Sequence, residues 1–113
     1  MKTLSEKQIH ESVIAHWRAL GLPGTRLATI PNMRAAGQAG LTKGLPDLIV
    51  MGGAYLGSRT GFIELKTDKG RLSPEQDAFR LSCIRDGVPY ACTRGRDEPI
   101  RVLEEWQIVR GAA

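Results

Sequence analysis

Two acidic residues and a lysine in the middle of the chain have the types and spacing of a hydrolytic site. Asp47 comes directly before an apolar run, LIVM, and Glu64 and Lys66 stand two residues apart in a second run, GFIELKT. Because side chains alternate along a strand, Glu64 and Lys66 share one face, about 6.6 Å apart along it. If the two strands pair through the connection around Tyr55, the Asp47 carboxylate converges on that of Glu64.

Such a pair of carboxylates has a chemical requirement of its own. Two carboxylates side by side repel each other unless a cation or a proton lies between them. Oxygen ligands without a Cys or His pair favour a hard ion, Mg²⁺ or Mn²⁺, over zinc. A lysine there can orient the attacking water, help to remove its proton, or neutralise charge on a phosphate. The alternative is a solvated Glu–Lys pair with Asp47 capping a turn, but the apolar surroundings of both motifs favour a site.

The elements that position these residues are predicted from periodicity and capping signals. Ser5 with Gln8, and Ser73 with Gln76, are capping boxes that begin two helices, and Gly21 and Gly87 end them. The predicted helices cover 5–20, 73–86 and 97–110, and the predicted strands cover 26–31, 48–51, 61–67 and 88–93. We expect both faces of strands 48–51 and 88–93 to be covered, and a mobile loop over 32–44. The order of elements predicts an α/β domain, 1–113, with a mixed central sheet flanked by helices.

Three motifs together resemble one nuclease family. GLPDL contains Asp47, IELK contains Glu64 and Lys66, and GRLSPEQ ends at Gln76. This pattern resembles the VRR-NUC domain, the virus-type replication-repair nuclease branch of the PD-(D/E)XK superfamily, over nearly the whole chain. The resemblance implies a restriction-endonuclease-like core. The chain departs from it in the short segment 32–44, where family members often carry a longer insertion, and this bears on substrate geometry.

The resemblance also implies roles for individual residues. It implies Mg²⁺-dependent phosphodiester hydrolysis, with Mn²⁺ able to substitute, and Asp47 and Glu64 as metal ligands. The backbone carbonyl of Leu65 would be a further ligand, and Lys66 would serve the attacking water. Gln76 would support the site from the second helix, although a capping box requires a residue of this type there in any case.

The family places a further glutamate in the first helix, and two candidates are present. At 100° per residue, the apolar positions form a stripe centred about 50° from Ile9. Glu6 falls at about 60° and Glu11 at about 200° on the same wheel, so we predict Glu6 as the metal or water ligand. The alternative is that Glu6 is only a favourable charge in the first helical turn.

Cations are expected to surround an acidic site that acts on DNA. The chain has 16 Lys and Arg against 12 Asp and Glu, a net charge of +4. The candidate phosphate contacts flank the motifs or precede them, and they are Arg34, Lys43, Lys69 and Arg71. Arg80, Arg94 and Arg96 could extend this surface. Aromatic residues are 5% of the chain, which disfavours a single-strand binder that stacks bases.

These observations predict a metal-dependent endonuclease acting on branched DNA in repair or recombination, and the resemblance implies Holliday-junction resolution. Because a junction offers two symmetry-related strands, we expect a homodimer, with an exposed face of Leu103, Trp106 and Val109 as a candidate interface. The alternatives are a flap or single-strand nuclease, and a non-catalytic DNA-binding subunit that keeps the fold. No membrane span, small-molecule substrate or disulfide framework is expected. We therefore expect a cytoplasmic protein of a bacterium, or of a phage in its host.

Overall fold

Helices and strands follow one another in the predicted order. The computed structural model describes residues 3–31 and 42–111, so most of the predicted loop 32–44, with Arg34, lies outside the described residues. The elements are α1 (Glu6–Leu20), β1 (Arg26–Thr29), β2 (Leu48–Met51), β3 (Gly61–Lys66), α2 (Pro74–Asp86), β4 (Tyr90–Arg94) and α3 (Asp97–Glu105). Within the described ranges no helix is long and apolar enough to cross a bilayer.

The capping signals that begin α1 and α2 are present as predicted. The Ser5 hydroxyl accepts the backbone N–H of Gln8, whose side-chain oxygen accepts the N–H of Ser5 in return. Ser73 and Gln76 make the same reciprocal pair at α2, with proline at the first helical position. The α2 helix ends at Gly87, whose φ of 70° is the left-handed conformation that glycine adopts without strain. The two helix starts beside the predicted site are therefore fixed by local sequence.

The sheet has the order β1-β2-β3-β4 and is mixed. The strands β1, β2 and β3 are antiparallel neighbours, whereas β4 runs parallel to β3. Leu48 pairs with Ile63, so the predicted pairing through the Tyr55 connection is confirmed. The crossover between the parallel strands contains α2. Consequently the start of β2, the end of β3 and the first turn of α2 meet at one end of the sheet.

The main hydrophobic core lies on the face of the sheet that α1 and α3 cover. Its members are fully or nearly buried and include Ile9, Val13, Leu48, Val50, Ile63, Leu65 and Leu103. On the other face Phe79 of α2 packs edge-on against Phe62, with ring centroids 5.2 Å apart, and contacts Tyr90.

The expectation that both faces of β2 and β4 are covered is wrong. Met51 is 41% exposed and Ile49 is half-buried, and in β4 Thr93 alone is fully buried. The reason is that α2 packs over the β4 side of this face, and the described residues leave the β2 side open.

The last helix ends earlier than predicted, and its apolar residues face inward. The α3 helix stops at Glu105, and the chain then reverses at Gln107, which has a φ of 58°. Val109 instead forms an antiparallel bridge with Gly21. Leu103, Trp106 and Val109 are between 0 and 8% exposed. The predicted interface face on this helix is therefore wrong, because these side chains complete the core of the monomer.

Candidate active site

The structure brings Asp47 and Glu64 together, as the sequence predicts. The antiparallel register that pairs Leu48 with Ile63 places Asp47, one residue earlier, opposite Glu64. The Oδ2 atom of Asp47 accepts the backbone N–H of Leu65 at 2.7 Å. This bond fixes the Asp47 carboxylate against the end of β3, beside the Glu64 side chain.

The Glu64 carboxyl is buried and incompletely satisfied. It is 2% exposed, and its Oε1 has no hydrogen-bond partner among the described residues. Burial, and then the hydrogen bond to Asp47 and the charge of Asp47, raise the pKa of Glu64 to about 9, although Lys66 opposes this shift. At neutral pH the free protein therefore holds a proton at the pair, in the place where the ionised pair would require a cation.

A hard divalent cation fits this arrangement. The Oε1 of Glu64 accepts no hydrogen bond from the described residues and could therefore bind a metal ion. The Asp47 carboxylate lies beside it. Leu65, whose carbonyl is the further predicted ligand, lines the same cleft. Among residues 3–31 and 42–111, no group of three or more His, Cys, Asp or Glu could hold a metal ion. The remaining coordination positions would be taken by backbone, water or substrate oxygens, with Glu6 of α1 as a further candidate.

Lys66 is held by the first turn of α2. Its ammonium donates to Oε1 of Gln76 at 3.0 Å, and the same oxygen accepts the backbone N–H of Ser73 at 2.8 Å. The Gln76 N–H in turn donates to the Ser73 hydroxyl at 3.1 Å. One oxygen of Gln76 therefore makes both the capping contact and the contact with Lys66, so the two interpretations of Gln76 do not exclude each other.

These side chains line a cleft of about 900 Å³ between α1, the segment before β2, the end of β3 and the start of α2. Glu6 lines it, and the charge of Glu6 contributes to raising the pKa of Glu64. Glu11 lines it as well, so the helical wheel placed Glu11 too far round the helix.

His10 is a cleft residue that was not among the predicted site residues, and its Nε2 lies 2.9 Å from the Thr29 hydroxyl. His10 lies one helical turn after Glu6, and this spacing could have predicted that it faces the same cleft.

Comparison with known proteins decides the family. The sequence model of the VRR-NUC domain matches residues 2–97. The chain belongs to the VRR-NUC family. A solved structure described as a VRR_NUC domain protein has a TM-score of 0.75, with 23% identity over 93% of this chain and 89% of that chain. This likeness shows the fold. A comparison with curated proteins finds no match. The chain is accordingly a nuclease-fold protein with the predicted α/β architecture.

The predicted phosphate contacts of this VRR-NUC protein differ in their surroundings. Lys43 lies 3.0 Å from the Glu75 carboxylate, so its charge is already paired with α2. Next to it, Gly44 has a φ of 92°, and a Cβ there would lie 2.6 Å from the Glu75 carbonyl carbon. Lys69 and Arg71 make no ion pair within the described part of the chain. Their charges are therefore available to an anionic ligand.

Proposed function

We propose that this VRR-NUC protein is a Mg²⁺-dependent endonuclease that hydrolyses phosphodiester bonds in branched DNA, with Mn²⁺ able to replace Mg²⁺. The observation that carries the proposal is the Asp47–Glu64 pair, in which Glu64 is buried and its Oε1 has no partner among the described residues. A purely structural carboxyl pair gains nothing from an unsatisfied buried oxygen, which costs free energy in every folded molecule. The cost is explained if the pair exists to hold a cation beside Lys66.

Each site residue would have its own role in the hydrolysis. Asp47, Glu64 and the Leu65 carbonyl would hold the ion, and Glu6 would act on a water or on the ion from α1. The bound ion would supply Lewis-acid stabilisation of the phosphate and would lower the pKa of a coordinated water. Lys66 would direct its ammonium hydrogens toward the phosphate or the attacking water, since Gln76 fixes its position.

The charge of the chain and its single set of site residues support a branched DNA substrate. One 12.4 kDa chain carries one Asp47/Glu64/Lys66 set and can make one nick in each encounter. Cutting both symmetry-related strands of a four-way junction requires two sets related by a two-fold axis, so the proposed active form is a homodimer. Lys69 and Arg71 beside the cleft, with Lys43 and Arg34, would contact backbone phosphates.

The test is a cleavage assay with purified protein, Mg²⁺ or Mn²⁺, and labelled four-way junction, flap, single-stranded and linear duplex DNA. The controls are EDTA and Asp47→Ala. We expect paired, symmetrically placed nicks in the junction and little cutting of linear duplex. A preference for flaps would support the flap-nuclease alternative. DNA binding without cleavage under every metal condition would support the non-catalytic subunit.

A further inference from the structure

The loop between β3 and α2, residues 67–73, carries two cations, Lys69 and Arg71, that make no ion pair within the described part of the chain. Lys69 and Arg71 stand on either side of Gly70, directly after the end of β3. A cationic loop recognises phosphates well only if its backbone is held in place, because ordering a mobile loop consumes binding free energy. In this loop the backbone at Gly70, between the two cations, would have to be held in place.

Arg94, at the end of β4, contacts this loop at its centre. Its guanidinium Nη1 donates to the backbone carbonyl of Gly70. Its own backbone is fixed, because its N–H donates to Glu98 at 2.9 Å and it pairs with Lys66 in the parallel register. Among the described residues Arg94 has no carboxylate within ion-pair distance. Arg80, Arg85 and Arg96, by contrast, each pair with an aspartate.

The loop backbone also lies directly on the stem of Lys66. A Cβ placed on Gly70 would lie 3.2 Å from Cδ and 3.3 Å from Cβ of Lys66. The Gly70 N–H donates to the Thr67 carbonyl at 3.1 Å, which closes the turn. Displacing Gly70 would therefore move Lys69 and Arg71 and would free the lysine stem together.

We infer that Arg94 is a positioning residue that holds the 67–73 loop in the conformation that binds nucleic-acid phosphates. It acts through the Gly70 carbonyl, and Lys69 and Arg71 make the phosphate contacts. This inference rests on the proposed function for its ligand, a DNA backbone, but the attachment of the loop to Arg94 can be measured without DNA.

The first experiment measures amide hydrogen exchange of residues 67–73 in the free protein. Arg94→Ala should speed exchange of the loop amides about tenfold, as expected when one hydrogen bond that closes a local structure is lost. Arg94→Lys, which keeps the charge and one donor, should fall between. Arg96→Ala is the matched control, since Arg96 is exposed and paired with Asp97, and it should leave the loop unchanged. Circular dichroism confirms folding, and unchanged loop exchange in both folded Arg94 variants would overturn the inference.

The second experiment measures junction binding by fluorescence anisotropy in EDTA at several salt concentrations. Each phosphate contact adds about 1 to the slope of log affinity against log salt, so Lys69→Ala/Arg71→Ala should lower the slope by about 2. Arg94→Ala alone should lower the slope by at least about 1. Arg94→Ala added to the Lys69→Ala/Arg71→Ala variant should lower the slope no further. An additional loss of about 1 in the triple variant would show that Arg94 contacts phosphate itself and would overturn the inference. Wild-type protein that fails to bind DNA would refute the proposed function, and the exchange data would still decide the role of Arg94.

Discussion

Lys66 and Gln76 are joined by a hydrogen bond of 3.0 Å, and the Gln76 oxygen that accepts it also caps α2 through the Ser73 N–H. The lysine at the end of β3 and the first turn of α2 are thus positioned by one atom. The capping contact of Gln76 and its contact with Lys66 can be tested separately, because Ser73 and Gln76 can each be substituted alone.

Ser73→Ala and Gln76→Ala separate these roles. Both variants lose a capping interaction, so each should reduce the free energy of unfolding by about 1 kcal/mol. Gln76→Ala also releases Lys66 and should slow single-turnover cleavage by about 10- to 100-fold, whereas Ser73→Ala should change it little. Thermal unfolding and rapid-quench kinetics measure the two effects. Equal loss of activity in both variants would show that Gln76 acts through the helix alone.

Replacing either carboxylate of the pair should abolish cleavage. Asp47→Ala and Glu64→Ala each remove a proposed ligand. Asp47→Ala also removes a negative charge that repels phosphate, whereas the Glu64 carboxyl carries a proton in the metal-free protein. We therefore expect junction binding in EDTA to be unchanged or tighter while Mg²⁺-dependent nicking disappears. Gel assays and anisotropy measure the two quantities. Full activity in purified Asp47→Ala protein would contradict the proposed site.

The metal-free protein should lose stability as the pH rises. Glu64 ionises near its ordinary 4.5 in the unfolded chain, but its pKa is raised to about 9 in the fold. Between these values the folded state binds more protons than the unfolded state, so the free energy of unfolding falls with increasing pH. Glu64→Gln cannot ionise and should remove this slope, with a gain of about 1 to 3 kcal/mol at pH 8.

Urea unfolding at pH 6, 7 and 8 in EDTA tests this dependence. Mg²⁺ added at pH 8 should raise the midpoint of the wild type and leave Glu64→Gln nearly unchanged. A wild type whose stability is independent of pH, with the same response to Mg²⁺ in both proteins, would remove Glu64 from the proposed metal site.

Glu6 and Glu11 both reach the cleft, yet Glu6 is the one whose charge acts on Glu64. Glu6→Gln should therefore weaken Mn²⁺ binding and slow cleavage strongly, and Glu11→Gln should have little effect on either. Isothermal titration with Mn²⁺ gives a result that does not depend on DNA. The opposite order of effects would assign the helix ligand to Glu11.

The active form should be a homodimer. Light scattering should give twice the 12.4 kDa mass of one chain, and the nicks in a junction should be paired. Leu103, Trp106 and Val109 do not contribute to a partner surface because they are buried within one chain. A strict monomer that prefers 5′ flaps would favour the alternative nuclease activity.

Local signals predicted the parts of the fold that depend on neighbours in sequence. The capping boxes at Ser5 and Ser73 begin helices in the structure, and the hairpin between Asp47 and Glu64 forms as the apolar runs indicate. Both carboxylates lie in one hairpin, so predicting that they converge required only that β2 and β3 pair, which the two apolar runs already suggested.

Contacts between distant segments were not predictable in the same way. The parallel register that sets Arg94 beside Lys66 has no local signature, because it depends on how α2 crosses the sheet. The reversal at Gln107 was missed because no glycine marks the left-handed residue there. An apolar spacing such as that of Trp106 and Val109 fits a helix face and a chain that folds back onto the core equally well.

The hairpin also determines what an optical probe of this protein would detect. Trp106 lies against Gly61 and stacks on Tyr55, at the end of β3 away from Glu64. Trp17, the other tryptophan of the chain, is three turns along α1 from Glu6 and donates to the Thr25 hydroxyl. Intrinsic tryptophan emission should therefore follow global unfolding while remaining nearly silent to events in the carboxylate cleft. A titration of metal or DNA needs a dye, and a flat emission signal in such a titration says nothing about whether the cleft is filled.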